Sequence, residues 1–361
     1  MQKKKLIVIK IGTHVLHQEN GLNNQIISNV VKNISEFLPQ NYQFIIVSSG
    51  AVASGKKLIQ INKKLTHTRS EQIYAAVGQV DLINTYQKYF NKYQIKTAQA
   101  LFTRRDFSDR DRYLSMKEVL KQLLNNNIVP IINENDVLCT EELNFSDNDQ
   151  LSAYVSAMLN ADYLLILSNV EGLYDAHPQE GGKLVKKINK ITPQVKSWAS
   201  TKKSDLGRGG MPSKLETAKF IMDLGIPMYL ASGHTPNIVK KIITGKKIGT
   251  IFNNTQNKET NSLKRWLKMG AIPSGTIVVC NFIADLLEQG RRASILSIGI
   301  EEIKKPFKKG DIVQVINEKE QIIGLGMAKI SSAEFKIKEQ KEINGQKKSK
   351  IIIHTDYFIK Q

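Results

Sequence analysis

From Lys5 to about residue 250 the chain repeats one rhythm: a short run rich in Ile, Val and Leu, then a longer stretch in which apolar residues recur at helical spacing. That alternation is what parallel strands joined by helical crossovers require, so it predicts an α/β sheet. The strand-like runs fall at 5–11, 43–47, 95–101, 128–132, 163–167 and 227–230. Helices are expected over 23–37, 70–90, 112–125, 147–159 and 213–224. Asp147 reads as an N-cap, because polar residues and then a periodic Leu151, Val155, Met158, Leu159 stripe follow it.

The rhythm stops near 253–261, a polar stretch with no apolar residue to anchor it, which reads as a linker or exposed loop. Beyond Pro273 the elements shorten and become strand-like, at 276–280, 311–316, 322–330 and 351–355, with one helix expected over 282–289. Asn344-Gly345 signals a type I′ hairpin. A length of 361 residues agrees with two domains, since single cores rarely grow past about 250 to 300 residues. No internal repeat is present. The uninterrupted apolar runs reach four or five residues, far short of the ~20 that span a bilayer. The basic start Met-Gln-Lys-Lys-Lys lacks the apolar stretch of a signal peptide, so a cytoplasmic protein is expected. Cys139 and Cys280 have no zinc spacing and read as reduced structural thiols.

A net charge of +19 raises the question of nucleic acid. The surplus is spread along the chain, however: residues 1–255 carry 33 basic and 21 acidic side chains, and 256–361 carry 19 and 12. Only 9 of the 52 basic residues are Arg, the side chain suited to bidentate phosphate and base contacts.

Four polar clusters stand at strand ends or helix starts, where an open α/β sheet binds its ligands. Lys10, at the end of the first strand, precedes Gly12-Thr13. Residues 204–214 bring glycines, then Pro212, Ser213 and Lys214 at a helix start that favours anions. Asn133-Glu-Asn-Asp136 ends one strand, and Asp147-Asn-Asp149 opens a helix. Caps and turns also account for such acids and amides taken singly. Residues 50–57 almost spell a P-loop, but Lys57 stands where a hydroxyl must ligate magnesium, so they read as a glycine-rich turn whose amides face an anion. His14 and His17 lack acidic or Cys partners and no metal site is expected. Trp198 and Trp266 read as packing residues.

The strings at 8–13, 47–51, 75–79, 125–136, 147–152 and 172–174, together with Gly209-Gly-Met211 and Lys214, resemble the glutamate 5-kinase family of the amino acid kinase fold, with a C-terminal PUA domain. The likeness runs in order over nearly the whole chain. It implies a mostly parallel sheet sandwiched by helices over 1–255, a linker over 256–272 and a small β-rich PUA domain over 273–361. It also implies ATP-dependent phosphorylation of the glutamate side-chain carboxylate, at the first step of proline biosynthesis, with Mg²⁺ held chiefly by ATP phosphates and water.

By the same resemblance Lys10 and Lys214 are the phosphate lysines and Asp149 orients their ammonium groups. Ser49, Gly50, Asn133, Asp136, Asp147 and Asn148 are expected on the amino acid, with Asp136 facing its α-ammonium. The nucleotide is expected at Lys10, Gly12, Ser168, Asn169, Arg208, Gly209, Gly210, Met211, Pro212, Ser213 and Lys214. Three departures stand out. Ser168-Asn169 replaces the usual hydroxyl-Asp pair, Arg208 and Pro212 take positions usually small or hydroxylated, and 290–299 lacks the usual Leu-Pro step. Proline as feedback inhibitor, glutamyl phosphate reductase as pathway partner and a homo-oligomer (dimer or tetramer) are expected from the resemblance alone. RNA binding by the PUA domain ranks below the kinase activity, and a sister kinase acting on aspartate or N-acetylglutamate is the third reading.

Overall fold

The computed structural model describes residues 4–18, 21–61, 65–138, 145, 147–199, 210–254, 261–334 and 349–360. Cys139, Arg208, Gly209 and the Asn344-Gly345 hairpin signal lie outside them. In chain order the elements begin with β1 (Lys5–Ile11), α1 (Thr13–Leu16), a small hairpin β2 (His17–Gln18) and β3 (Gly21–Leu22), α2 (Asn24–Phe37) and β4 (Tyr42–Ser48). Next come α3 (Ala51–Leu58), α4 (His67–Asn91), β5 (Thr97–Phe102), α5 (Arg104–Ser108), α6 (Arg110–Asn125), β6 (Val129–Glu134), α7 (Asn148–Leu159) and β7 (Tyr163–Ser168). Then follow β8 (Lys187–Ile188), α8 (Pro193–Ser197), α9 (Met211–Met222), β9 (Met228–Ser232), α10 (Ile238–Ile243) and β10 (Thr250–Phe252). The chain divides into two compact units, Met1–Asp106 with Asp111–Glu259, and Phe107–Arg110 with Thr260–Gln361.

The first unit is built on one sheet of order β5-β6-β4-β1-β7-β9-β10-β8. Every pairing from β5 to β9 is parallel, and only the β9–β10 pair is antiparallel. Central parallel strands are covered on both faces, which is why β1 reads Leu-Ile-Val-Ile without a polar break. Ile7, Ile9 and Ile11 join Val30, Val31 and Ile34 of α2 and Leu82, Tyr86 and Phe90 of α4 in one core. Side-chain alternation then sends Lys10 to the opposite face, and α7 packs there against β1, β4, β6 and β7. Most of α7 is buried; the hydroxyls of Ser152 and Ser156 are satisfied by donating to the carbonyls of Asp149 and Ser152.

Residues 51–58 correct one expectation. The glycine-rich segment is a helix, α3, rather than an anion-binding turn, and Lys56 and Lys57 lie exposed in its last turn. Its glycine serves helix contact. A Cβ on Gly55 would sit 1.9 Å from the Tyr74 carbonyl oxygen, and one on Gly78 of α4 would sit 1.9 Å from that of Ala51. Absent side chains let the two helix backbones touch. Gly50 starts α3 with φ +106°, a left-handed conformation that suits glycine, and so delivers the chain from β4 into the helix.

The second unit contains α11 (Ser262–Lys268), β11 (Gly275–Val279), α12 (Asn281–Glu288), β12 (Ile295–Leu296), β13 (Ile300–Lys305), β14 (Ile312–Ile316), β15 (Ile322–Ala328) and β16 (Ile351–Lys360). Its sheet runs β12-β16-β15-β14-β11-β13, mostly antiparallel, over its own core of Ile277, Val279, Leu287, Val313, Val315, Ile323 and Ile353. The stretch read as linker carries α11, whose Trp266 is buried and donates its indole N–H to the Phe107 carbonyl at 2.8 Å. No helix among the described residues is long and apolar enough to cross a membrane.

Candidate active site

The carboxyl ends of β1, β4 and β7 are level, since Ile11 stands beside Ser48 on one side and Leu167 on the other. Lys10 therefore projects at the rim of the sheet, on the face where α7 begins. Asp149, the second residue of α7, is 0% exposed and meets both predicted lysines: Lys10 Nζ at 2.6 Å from Oδ1 and Lys214 Nζ at 3.0 Å from Oδ2. Lys214 comes from the first turn of α9, which packs on α7. Burial alone would push the Asp149 carboxyl up, but the two ammonium groups outweigh it and hold the acid below its ordinary value. Two buried cations share one carboxylate. The cluster thus keeps one net positive charge in a place where a bare cation is costly, which suits it to an anionic ligand. A Cβ on Gly12 would stand 3.5 Å from Lys10 Nζ, so glycine there leaves the ammonium uncovered.

Asp147 caps α7 as the sequence predicts: its Oδ1 accepts from the backbone N–H groups of Asp149 and Gln150. Its Oδ2 accepts from the Ser213 hydroxyl at 2.5 Å, tying α7 to the start of α9. Burial pushes this carboxyl up and the charge of Asp149 adds to the push; Ser213, Lys10 and the Gln150 amide oppose it without reversing it. Two acids two residues apart are driven in opposite directions, because only Asp149 holds both ammonium groups.

A chain of side-chain amides leads away from the lysines. Asn148 Nδ2 donates to Ser49 Oγ at 2.9 Å and to Asn133 Oδ1 at 3.0 Å, and Asn133 Nδ2 donates to Gln79 Oε1 at 2.9 Å. Residues from β6, α7, the β4–α3 junction and α4 meet there. Gln79 is the member that reading the sequence for site residues did not single out, although it closes the 75–79 string that carries the resemblance. Glu134, next to Asn133, is buried and accepts the Phe145 backbone N–H at 2.7 Å.

The remaining predicted residues are placed as follows. Gly50 lies at the α3 start, and Asp136 half-buried in the turn after β6. Ser168 is buried at the end of β7, its hydroxyl donating to Asn169, which is exposed. Gly210 caps α9, whose first turn contains Met211, Pro212, Ser213 and Lys214. Proline fits there because first-turn N–H groups have no partner within the helix.

Residues 5–232 match the family model of the amino acid kinase family, and residues 275–351 match that of the PUA domain. The chain is 37% identical over 355 residues to a protein of Chlorobaculum tepidum named glutamate 5-kinase, covering 98% of this chain and 96% of that one. It is 33% identical over 366 residues to one of the same name from Bacillus cereus, covering 99% of both. A third, from Thermoanaerobacter, is 35% identical over 363 residues, covering 98% and 97%. Among solved structures, isopentenyl phosphate kinase aligns with a TM-score of 0.50 at 14% identity, covering 68% of this chain and 99% of that one, a likeness of fold.

Proposed function

The chain belongs to the glutamate 5-kinases of the amino acid kinase family, and from that premise we propose how its crevice works. The protein transfers the terminal phosphoryl group of ATP to the side-chain carboxylate of L-glutamate, giving glutamyl 5-phosphate for proline biosynthesis. We assign the phosphates to Lys10, Gly12, Lys214 and the first turn of α9, with Ser168 and Asn169 towards the nucleotide. We assign the amino acid to Ser49, Gly50, Asn133, Asp136, Asp147 and Asn148.

The observation that carries this reading is the buried carboxylate of Asp149 between two ammonium groups. The nucleophile is a carboxylate, with a reference pKa near ~4.3, so it is ionised at neutral pH and asks for no general base. The reaction asks instead for in-line placement and for positive charge beside the transferring group. Lys10 and Lys214 supply that charge. Asp149 is a positioning residue: it holds both ammonium groups in place before the nucleotide arrives, so little reorientation remains at the moment of transfer.

Among the described residues no three or more His, Cys, Asp or Glu side chains gather into a metal site. Asp149 is engaged by two lysines, and Asp147 by a helix cap and Ser213. This donor set does not fit a resident protein-held ion, and Mg²⁺ belongs in this reading with the ATP phosphates and water. Proline as feedback inhibitor, a homo-oligomer and the reductase that takes the labile product complete the proposal.

The test uses the full chain with ATP and L-glutamate in the presence of hydroxylamine, which traps an acyl phosphate as its hydroxamate. Hydroxamate should form in step with ADP. Preference for aspartate or N-acetylglutamate, or ADP without hydroxamate, would refute the assignment.

A further inference from the structure

The amide chain has a fixed polarity. Asn133 Oδ1 accepts the backbone N–H of Glu134 at 2.9 Å, and a backbone amide can only donate. Asn133 must therefore turn its own amide group outward to Gln79 Oε1, and Asn148 must point Nδ2 at Asn133 Oδ1. Flipping any one amide would set donor against donor or acceptor against acceptor. The consequence lies at the two ends. Gln79 Nε2 is left as a donor and Asn148 Oδ1 as an acceptor; both atoms are buried, and neither has a partner among the described residues. Gln79 as a whole is only 9% exposed.

A buried polar group without a partner is destabilising, and native structures rarely keep two in one network unless a ligand or an ordered water completes it. The cationic end of the crevice, at Lys10 and Lys214, is taken in this reading by the reacting carboxylate and the phosphates. The amide chain itself leaves one donor, on Gln79, and one acceptor, on Asn148. An α-amino acid head group offers the complement: a carboxylate that accepts and an ammonium that donates.

We infer that Gln79 is a substrate-contacting residue whose side-chain N–H donates to the α-carboxylate of the amino acid, while Asn148 Oδ1 accepts from its α-ammonium. This rests on the glutamate kinase reading and deepens it. It makes α4 part of the specificity machinery: the site reads the α-carboxylate with a donor whose direction is set, two hydrogen bonds away, by the backbone of β6. An acid lacking the charge at that position leaves the Gln79 N–H poorly matched.

The test compares L-glutamate with isoglutamine, which keeps the reacting side-chain carboxylate but carries an amide in place of the α-carboxylate. In Gln79→Glu the donor becomes an anion that repels glutamate and can accept from the isoglutamine amide. The ratio of kcat/KM for glutamate to that for isoglutamine should fall at least about 100-fold, and the KM for ATP should stay within threefold. Gln79→Met keeps the volume and removes the donor; the ratio should fall about 10-fold. Damage to packing alone would lower both substrates together and leave the ratio unchanged, and an unchanged ratio in an active variant overturns the inference. Wild-type protein that makes no hydroxamate from glutamate would instead overturn the function on which it rests.

Discussion

Replacing Asp149 by Asn keeps the shape of the lysine cluster and removes its only negative charge. At an effective dielectric near 20, a unit charge pair at the observed 2.6 and 3.0 Å attracts by about 5 to 6 kcal/mol before solvation is counted. Burying the three charges takes back much of that. The loss on removing one partner is nevertheless large, typically about 3–5 kcal/mol, because the charges left behind remain buried and unpaired. Lys10 and Lys214 are each 7% exposed, so water cannot take over from the carboxylate without opening the α7–α9 contact. Asp149→Asn should therefore unfold at least about 6 °C below wild type, at roughly 2–4 °C per kcal/mol for a unit of this size. Its kcat should fall about 100-fold or more, since the phosphate charges lose their alignment.

The partner variant makes the reasoning strict. Adding Lys214→Met to Asp149→Asn removes one stranded cation and should recover part of the lost stability while leaving activity low. The sign of the pH dependence follows from the depressed carboxyl. Its stabilising contribution is complete above the ordinary value of 3.8 and is lost as pH falls through the lower folded value, so wild type and Asp149→Asn should converge in acid. Thermal melts across pH and steady-state kinetics decide the matter. A single variant within 2 °C of wild type, or no recovery in the double variant, would refute the picture of a charge-balanced cluster.

We assign Asp136 to the α-ammonium, and Asp136→Asn removes its charge without a change of shape; the glutamate KM should rise at least about tenfold while the ATP KM moves little, and equal rises would argue against the assignment. Asp147 is held above its ordinary value, so its ionised form weakens folding at neutral pH. Asp147→Asn keeps the cap, and its melting temperature at pH 7 should match or exceed wild type while the glutamate KM rises. Gly78→Ala drives a methyl group into the Ala51 carbonyl; we expect a loss of about 1–3 kcal/mol in denaturant melts, accompanied by weaker glutamate binding, and a neutral effect on both would refute the backbone contact.

Where a few consecutive apolar residues were enough to mark an element, the sequence located it. β1 is read at its observed bounds, and β4, β6, β7 and β9 within one or two residues, because central strands buried on both faces leave long apolar runs; β5, half-buried at the sheet edge, is also found within two residues. β8, β10 and β12 span two or three residues and carry no pattern of their own; they exist because a neighbouring strand offers an edge. β13, reading Ile-Glu-Glu-Ile-Lys-Lys, shows too little alternation to be seen. α3 was hidden by its glycines, whose spacing resembles a loop until the helix they touch, α4, is in place. The lysines and acids of the site were legible as charges at element ends. Gln79 was not, since its meaning depends on Asn133, 54 residues further along the chain.

The backbone contact between α3 and α4 bears on any attempt to redesign this protein for another acid. With no side chains between them at Gly55 and Gly78, the two helices behave as one plate; Gln79 lies on it and Ser49 and Gly50 lead into it, the three residues we assign to the amino acid. On that assignment, the depth of the amino acid site should follow where the plate rests on the sheet rather than any one residue. Libraries that vary crevice side chains alone should alter affinity while leaving chain-length selectivity nearly fixed. Selectivity should change when the plate is moved whole, by resizing the α4 residues on its inner face, such as Leu82, Tyr86 and Phe90, that share a core with α2 and β1.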